Sequence, residues 1–220
     1  DDVDIAVAAA KKAFKGWSTT SKQDRSDILM KLADTIEKHF DELVKAESRD
    51  NGKPESLAAN VDIPRAPANI RFFAGAILHN SSKMHEMDGM AINYTLRQPI
   101  GVAACISPWN LPLYLLTWKV APALAAGNTV VAKPSEVTPM TAFLFSKICI
   151  EAGLPKGVLN IVHGLGSKVG DPLTTHLDTP IVSFTGGTVT GKHIASVTAP
   201  MFKKLSLELG GKTLILFLMM

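Results

Sequence analysis

Five short segments in the second half of the chain hold the residues best suited to chemistry, and each follows an apolar run. The first is Ser107-Pro108-Trp109-Asn110-Leu111-Pro112. Its two prolines make a rigid turn, and Asn110 presents an amide N–H of the kind that stabilises a developing oxyanion in acyl chemistry. A turn-capping role is the alternative for Asn110. The second is Lys133-Pro134-Ser135-Glu136, where a Lys and a Glu at a strand end can hold two ribose hydroxyls or form a surface ion pair. The third, His163-Gly164-Leu165-Gly166-Ser167-Lys168-Val169-Gly170, has a G-x-G-x-x-x-G spacing one residue longer than the dinucleotide fingerprint. The fourth, Phe184-Thr185-Gly186-Gly187-Thr188, opens a helix whose N-terminal amides and dipole suit a pyrophosphate. The fifth is Glu208-Leu209-Gly210-Gly211-Lys212. A carboxylate ending an apolar strand tends to titrate high and can serve as a general base, or it can be structural.

Positioning these segments requires a particular rhythm of elements. From Gly101 onward, apolar strands are predicted at 102–106, 129–132, 158–162, 181–184 and 204–208, with helices at 113–126, 138–152, 167–176 and 188–197. Strand–helix alternation of this kind is the pattern of a parallel βαβ sheet. Gly127 and Gly153 stand where helix C-terminal glycines belong. Ligands of such sheets bind outside the carboxyl ends of the strands, where the five segments fall. The fold class expected is therefore α/β, a Rossmann-like doubly wound parallel sheet with N-terminal helices. Those helices begin with an alanine-rich stretch over 4–17. Ser21 is predicted to cap a second helix, in which Leu29, Leu32, Ala33, Ile36, Phe40, Leu43 and Val44 recur at three- and four-residue steps. Asn51-Gly52 and Pro54 end it, and Pro64 and Pro67 are expected to break the next helix, which resumes through 69–73. Alternation at Met90, Ile92, Tyr94 and Leu96 predicts a strand.

Composition excludes several function classes. The chain has 220 residues, of which 46% are hydrophobic and 20% charged, within the ordinary range of a globular protein rather than a disordered one. Its net charge of +3 comes from scattered basic residues such as Lys31, Lys38 and Lys45, which reads as a solvated helix face and not as a nucleic-acid surface. Cys105 and Cys149 stand in apolar contexts, which gives neither a disulfide framework nor a metal site. A reducing, cytoplasmic setting is the expectation, with no membrane span and no signal peptide. The chain begins at Asp1 without an initiator Met, and the expectation is that residues precede it.

In order and together, Ile106-Ser107-Pro108-Trp109-Asn110, Lys133-Pro134-Ser135-Glu136, Phe184-Thr185-Gly186-Gly187 and Leu207-Glu208-Leu209-Gly210-Gly211-Lys212 closely resemble the aldehyde dehydrogenase superfamily. Within it, Asp62-Ile63-Pro64-Arg65 and Asn110-Leu111-Pro112-Leu113 look most like the 2-aminomuconic and 2-hydroxymuconic semialdehyde types. The resemblance implies NAD as cofactor, a small-molecule aldehyde as substrate, and a homo-oligomer for the full-length enzyme. It implies that Asn110 is the side-chain half of an oxyanion hole and Glu208 the general base that activates the hydrolytic water. Lys133 and Glu136 would bind the adenosine ribose, and Glu136 would disfavour a 2′-phosphate. Ile106, Trp109 and Ser135 would belong to the same cofactor site. Gly166 and Gly186 would let the backbone pass close to the cofactor, Gly187 would face the pyrophosphate, and Leu209 and Gly210 would line the nicotinamide. Arg65 would reach the substrate entrance and pair with a carboxylate distal to the aldehyde. The implied organisation is 1–81 as the helical part of the cofactor-binding domain, 82–99 as part of an oligomerisation region and 100–220 as the NAD-binding portion.

Departures from the family pattern set further expectations. The family's nucleophilic Cys lies a few dozen residues beyond the motif Glu, whereas here 220 − 208 = 12 residues follow Glu208 and none is Cys. The expectation is a truncated aldehyde dehydrogenase fold without the catalytic domain, inactive alone. A short isoform that binds nucleotide or a partner without chemistry is the alternative, and an unrelated Rossmann-type module is a third. Gly187 replaces a usual Ser, which removes one hydroxyl contact to the pyrophosphate, and Val189 stands at a usually acidic position. The apolar run 214–220 has no charge, proline or glycine and is expected either to pair at the sheet or to lie exposed and promote association.

Overall fold

The computed structural model describes residues 2–210; Gly211, Lys212 and the apolar run 214–220 lie outside the described residues. Helices α1 (Asp2–Trp17), α2 (Lys22–Lys38) and α3 (Phe40–Asn51) come first. Ser21 caps α2 as its sequence predicts, its Oγ accepting from the Asp24 amide at 3.0 Å. The single helix expected between Ser21 and Asn51 is two helices, parted at His39, whose backbone (φ −96°, ψ 18°) leaves the helical path. The three- and four-residue apolar spacing continues across the break, so Leu29, Leu32 and Ile36 of α2 and Leu43 of α3 enter one core. A short turn α4 (Glu55–Leu57) and a π-helical segment (Ala58–Asp62) lead into α5 (Ile63–Leu78).

Here the prolines do not act as expected. Pro64 sits in the first turn of α5, directly after the π-helical segment that leads into it without a break, and α5 continues through Pro67. Pro67 gives up a ladder hydrogen bond, but Ala66, Pro67, Ile70 and Ala74 are buried, and that packing holds the helix.

A two-stranded antiparallel hairpin follows, β1 (Met84–Met87) with β2 (Ala91–Tyr94), and every residue of both strands is exposed. The alternation at Met90–Leu96 thus marks a strand, although within this chain it covers no core.

The second half builds one parallel sheet from β3 (Val102–Ile106), β4 (Thr129–Lys133), β5 (Leu159–Ile161), β6 (Ile181–Gly186) and β7 (Lys204–Leu209), in the order β5-β4-β3-β6-β7. The crossovers are α6 (Pro112–Ala125), α7 (Met140–Glu151), α8 (Asp171–Thr175) and α9 (Thr188–Thr198). Only the first half of the helix predicted over 167–176 departs from expectation, since Gly166–Gly170 forms a π-helical turn before α8. All five residues of β3 and of β4 are buried, as the central strands of a sheet covered on both faces must be.

Alternate side chains separate the two faces. Ala103, Cys105, Val130 and Ala132 pack against α2, α3, α5, α6 and α7. Val102, Ala104, Ile106, Val131, Val182 and Phe184 pack against α1, α8 and α9. Strand order runs outward from β3 through β4 to β5, then returns to β6 on its other side. That reversal opens a crevice at the carboxyl ends of β3, β4 and β6.

Candidate functional site

Ile106 at the end of β3 lies level with Lys133 on β4 and with Phe184 on β6, so the three strand ends open at one height. They form the floor of an open cleft of about 420 Å³, within the range of small-molecule sites. Of the residues predicted for cofactor contact, Ile106, Trp109, Lys133, Ser135, Glu136, Gly166, Gly186 and Gly187 all border this cleft. Sequence reasoning missed Asp171, Thr174 and Thr190, which also border it. Their signal was slight, because each is an ordinary polar residue of a helix, Asp171 and Thr174 on α8 and Thr190 on α9.

At one end of the cleft the Lys133 ammonium donates to Glu136 Oε2 at 2.9 Å and to the Pro134 carbonyl at 3.0 Å. The Lys133 side chain is 4% exposed and the Glu136 side chain 42% exposed, so the lysine is a buried anchor and the carboxylate reaches into the opening. The Glu136 amide, the Lys133 ammonium and the Gly166 amide hold the Glu136 carboxyl below the usual carboxylate range. It is therefore ionised at neutral pH, and it faces the cleft as an acceptor. At the other end α9 begins at Gly187, which has an extended backbone and no side chain to cap the helix. The first amides of this eleven-residue helix are left open beside the cleft.

Close approach explains two glycines here. A Cβ built on Gly186 would stand 2.5 Å from Cζ of Phe184, so any side chain there would collide with the ring that floors the cleft. A Cβ on Gly191 would stand 2.4 Å from a methyl carbon of Leu209, which is how closely α9 sits on β7.

The residues expected to perform chemistry are placed elsewhere. Asn110 and Glu208 are both exposed, and neither borders the cleft. Glu208 pairs in register with Thr185, two residues beyond the Ser183–Ser206 pair, and so shares the sheet face of Ser183. Lys119 of α6 donates to Ser183 Oγ at 3.2 Å on that face, and the Glu208 charge acts on Lys119. Glu208 lies near the end of a mostly exposed strand, β7, which is a sheet edge among the described residues. Leu209 packs toward α9 from the opposite face, and the Gly210 carbonyl accepts from Thr188 Oγ1 at 3.3 Å. Arg65 is exposed on α5, its guanidinium 5.6 Å from the centre of the Tyr114 ring.

A buried charge cluster behind the Trp109–Asn110 turn was not anticipated. Glu47 and Asp62 both face Lys53, and both carboxyl side chains are at most 1% exposed. Burial pushes the Glu47 carboxyl up to about 7. The native state therefore keeps this proton at pH values where the unfolded chain, with an ordinary value of 4.5, has released it. The stabilisation is complete below pH 4.5 and is lost as pH rises toward 7. Glu47→Gln mimics the protonated form. Relative to that variant, the parent is expected to lose about 3 kcal/mol between pH 4.5 and 8. Urea unfolding of both at several pH values checks this, and parallel pH profiles would contradict it.

The sequence model of the aldehyde dehydrogenase family matches residues 1–219. This chain belongs to that family. It is 57% identical over 213 residues to a 2-aminomuconic semialdehyde dehydrogenase of Danio rerio, covering 96% of this chain and 44% of the relative. It is 50% identical over 217 residues to a 2-hydroxymuconic semialdehyde dehydrogenase of Pseudomonas sp. (strain CF600), covering 96% and 45%. The NAD+ complex structure of an aldehyde dehydrogenase from Bacillus cereus superposes with a TM-score of 0.94 at 42% identity, covering 96% of this chain and 44% of that one. The chain spans less than half the length of these relatives.

Neither cysteine of this chain offers a thiolate near neutral pH. Cys105 is buried in β3, and burial pushes its thiol up to about 12. Cys149 is buried in α7 and shifted upward for the same reason. Among the described residues no group of three or more His, Cys, Asp or Glu is arranged to hold a metal, and no helix is long and apolar enough to cross a membrane.

Proposed function

We propose that this chain is the NAD-binding part of an aldehyde dehydrogenase that oxidises a carboxylate-bearing semialdehyde of the muconic type. The observation that carries the reading is the paired geometry of the cleft. A buried Lys133 and an outward Glu136 stand at one end, and the open amides of α9 stand at the other. The donor set fits the cofactor chemically. The ammonium donates to a ribose hydroxyl, the carboxylate accepts from its neighbour, and the helix N-terminus receives the pyrophosphate. Gly186 keeps the backbone flush with the floor, and the Glu136 amide and the Lys133 ammonium, with a smaller part from the Gly166 amide, favour the ionised form of Glu136. When bound, NAD supplies the hydride acceptor for aldehyde oxidation.

In this reading the Asn110 amide donates to the oxyanion of the reacting carbonyl, and Glu208 takes a proton from the hydrolytic water. Leu209 and Gly210 line the nicotinamide side. The 82–99 region, with its exposed hairpin, joins copies of the chain in an oligomer. Lys133→Met is expected to weaken NAD binding by about tenfold or more, the size of a lost hydrogen bond to a charged group. Equilibrium dialysis of parent and variant measures this, and equal affinities would remove Lys133 from the ribose site.

Arg65 supplies the substrate preference. A guanidinium makes a bidentate fork with a carboxylate, and stacking near Tyr114 leaves the fork's edge free. In an enzyme that carries these residues together with the nucleophile, Arg65→Ala is expected to lower kcat/KM for carboxylate-bearing semialdehydes by about tenfold to a hundredfold. Neutral aldehydes are spared. Equal losses for both classes would take Arg65 out of the site.

A further inference from the structure

The buried Lys53 group behind the turn does nothing in the chemistry proposed above, and its geometry shows what it touches. The Lys53 side chain is 8% exposed, rests on the Asp62 carboxylate, and lies 3.8 Å from Glu47 Oε1. It also donates to the main-chain oxygen of Asn110 at 3.1 Å. Asn51 donates its Nδ2 to the main-chain oxygen of Trp109 at 2.7 Å. Gly52 lies between the two donors in the left-handed region (φ +80°), and this turn lets Asn51 and Lys53 reach consecutive carbonyls. The 107–111 segment has no helix or strand of its own, so these donors fix its backbone from outside.

We propose that Lys53 is a positioning residue, which holds the Trp109–Asn110 turn by its bond to the Asn110 carbonyl while the Asp62 carboxylate holds the ammonium. The Trp109 ring is thereby fixed at the edge of the cleft and the Asn110 amide presented in one orientation. The value of that orientation rests on the oxyanion role proposed for Asn110; the placement of the turn does not.

The test labels the chain with 5-fluorotryptophan, giving one fluorine NMR resonance for each of its three tryptophans. Trp17, whose ring donates to the Leu124 carbonyl at 3.1 Å, and Trp118, stacked edge-on with Phe73 at 5.6 Å, are internal references. Lys53→Met/Asp62→Asn removes the ammonium together with the carboxylate it rests on, and the buried Glu47, without the ammonium that favours its charge, keeps its proton, so no lone charge is left behind. Lys53→Gln/Asp62→Asn is equally neutral but keeps a donor for the Asn110 carbonyl. In the Met variant the Trp109 line is expected to broaden by about twofold or more, as microsecond-to-millisecond exchange does, while Trp17 and Trp118 hold. The Gln variant restores the sharp Trp109 line. A Trp109 line unchanged in the Met variant would overturn the proposal, as would one equally broad in both variants.

If the Met variant fails to fold, the parent decides. A slowly exchanging Lys53 ammonium coupled across the hydrogen bond to the Asn110 carbonyl carbon supports the proposal, and a freely exchanging one overturns it. Titrating the same samples with NAD separates the two readings. A parent that shows the fixed turn but no NAD binding contradicts the function proposed above and leaves Lys53 in its role.

Discussion

Titrated in parallel with NAD and NADP, the chain is expected to bind NAD tighter by about tenfold or more. The Glu136 carboxylate is ionised, reaches into the cleft, and is held in place by Lys133. A 2′-phosphate brought beside it would place two anions within a few ångströms, and like-charge contacts of this kind cost several kcal/mol when partly desolvated. Lys133 offsets part of that repulsion, but its ammonium is already engaged by Glu136 and the Pro134 carbonyl. Glu136→Ala frees the ammonium for the phosphate. The preference is then expected to shrink to within about threefold, mostly by a gain for NADP. Calorimetry of both cofactors against both variants measures this. Equal NAD and NADP affinity in the parent would show that Glu136 does not face the ribose.

The second large effect concerns turnover. Given NAD and any aldehyde, these 220 residues alone are expected to form no NADH. Covalent oxidation needs a thiolate, and both cysteines are buried with thiols shifted far from neutral pH. Supplied with the family's nucleophile in one polypeptide, the same residues are expected to turn over. Asn110→Ala then lowers kcat by about a hundredfold to a thousandfold, as loss of one oxyanion donor does. NADH formation by the 220 residues above a Glu208→Gln control would contradict the first statement. An Asn110→Ala enzyme with undiminished kcat would contradict the second.

Much of the sheet is legible in the sequence because buried parallel strands are short, apolar and followed by turn residues. β3, β4, β6 and β7 fall within two residues of their predicted ends. The cleft follows from the same reading, since residues after strand ends of one sheet must converge. The break at His39 is not legible, because no glycine or proline marks it and the apolar spacing runs on across it. Pro67 misleads for the opposite reason, as tertiary packing overrides a local breaker. The surroundings of Glu208 depend on which strand ends the sheet, and that is a property of topology rather than of the Leu-Glu-Leu-Gly-Gly motif. The Lys53 cluster is the least legible. Glu47 reads as one more surface charge on a helix, and Asp62 lies nine residues from the lysine it pairs with. Its one signal, Asn51-Gly52-Lys53-Pro54, serves equally well as a helix stop.

Amide hydrogen exchange of the chain with and without saturating NAD tests the central claim most directly, because the unliganded sample also reports whether the sheet is folded. The account predicts new protection in 106–110, 133–136, 166–170 and 184–190, and none in the hairpin or on α2. A chain whose β3, β4 and β6 amides are protected without cofactor, and which gains nothing in those segments when NAD is added, would contradict it.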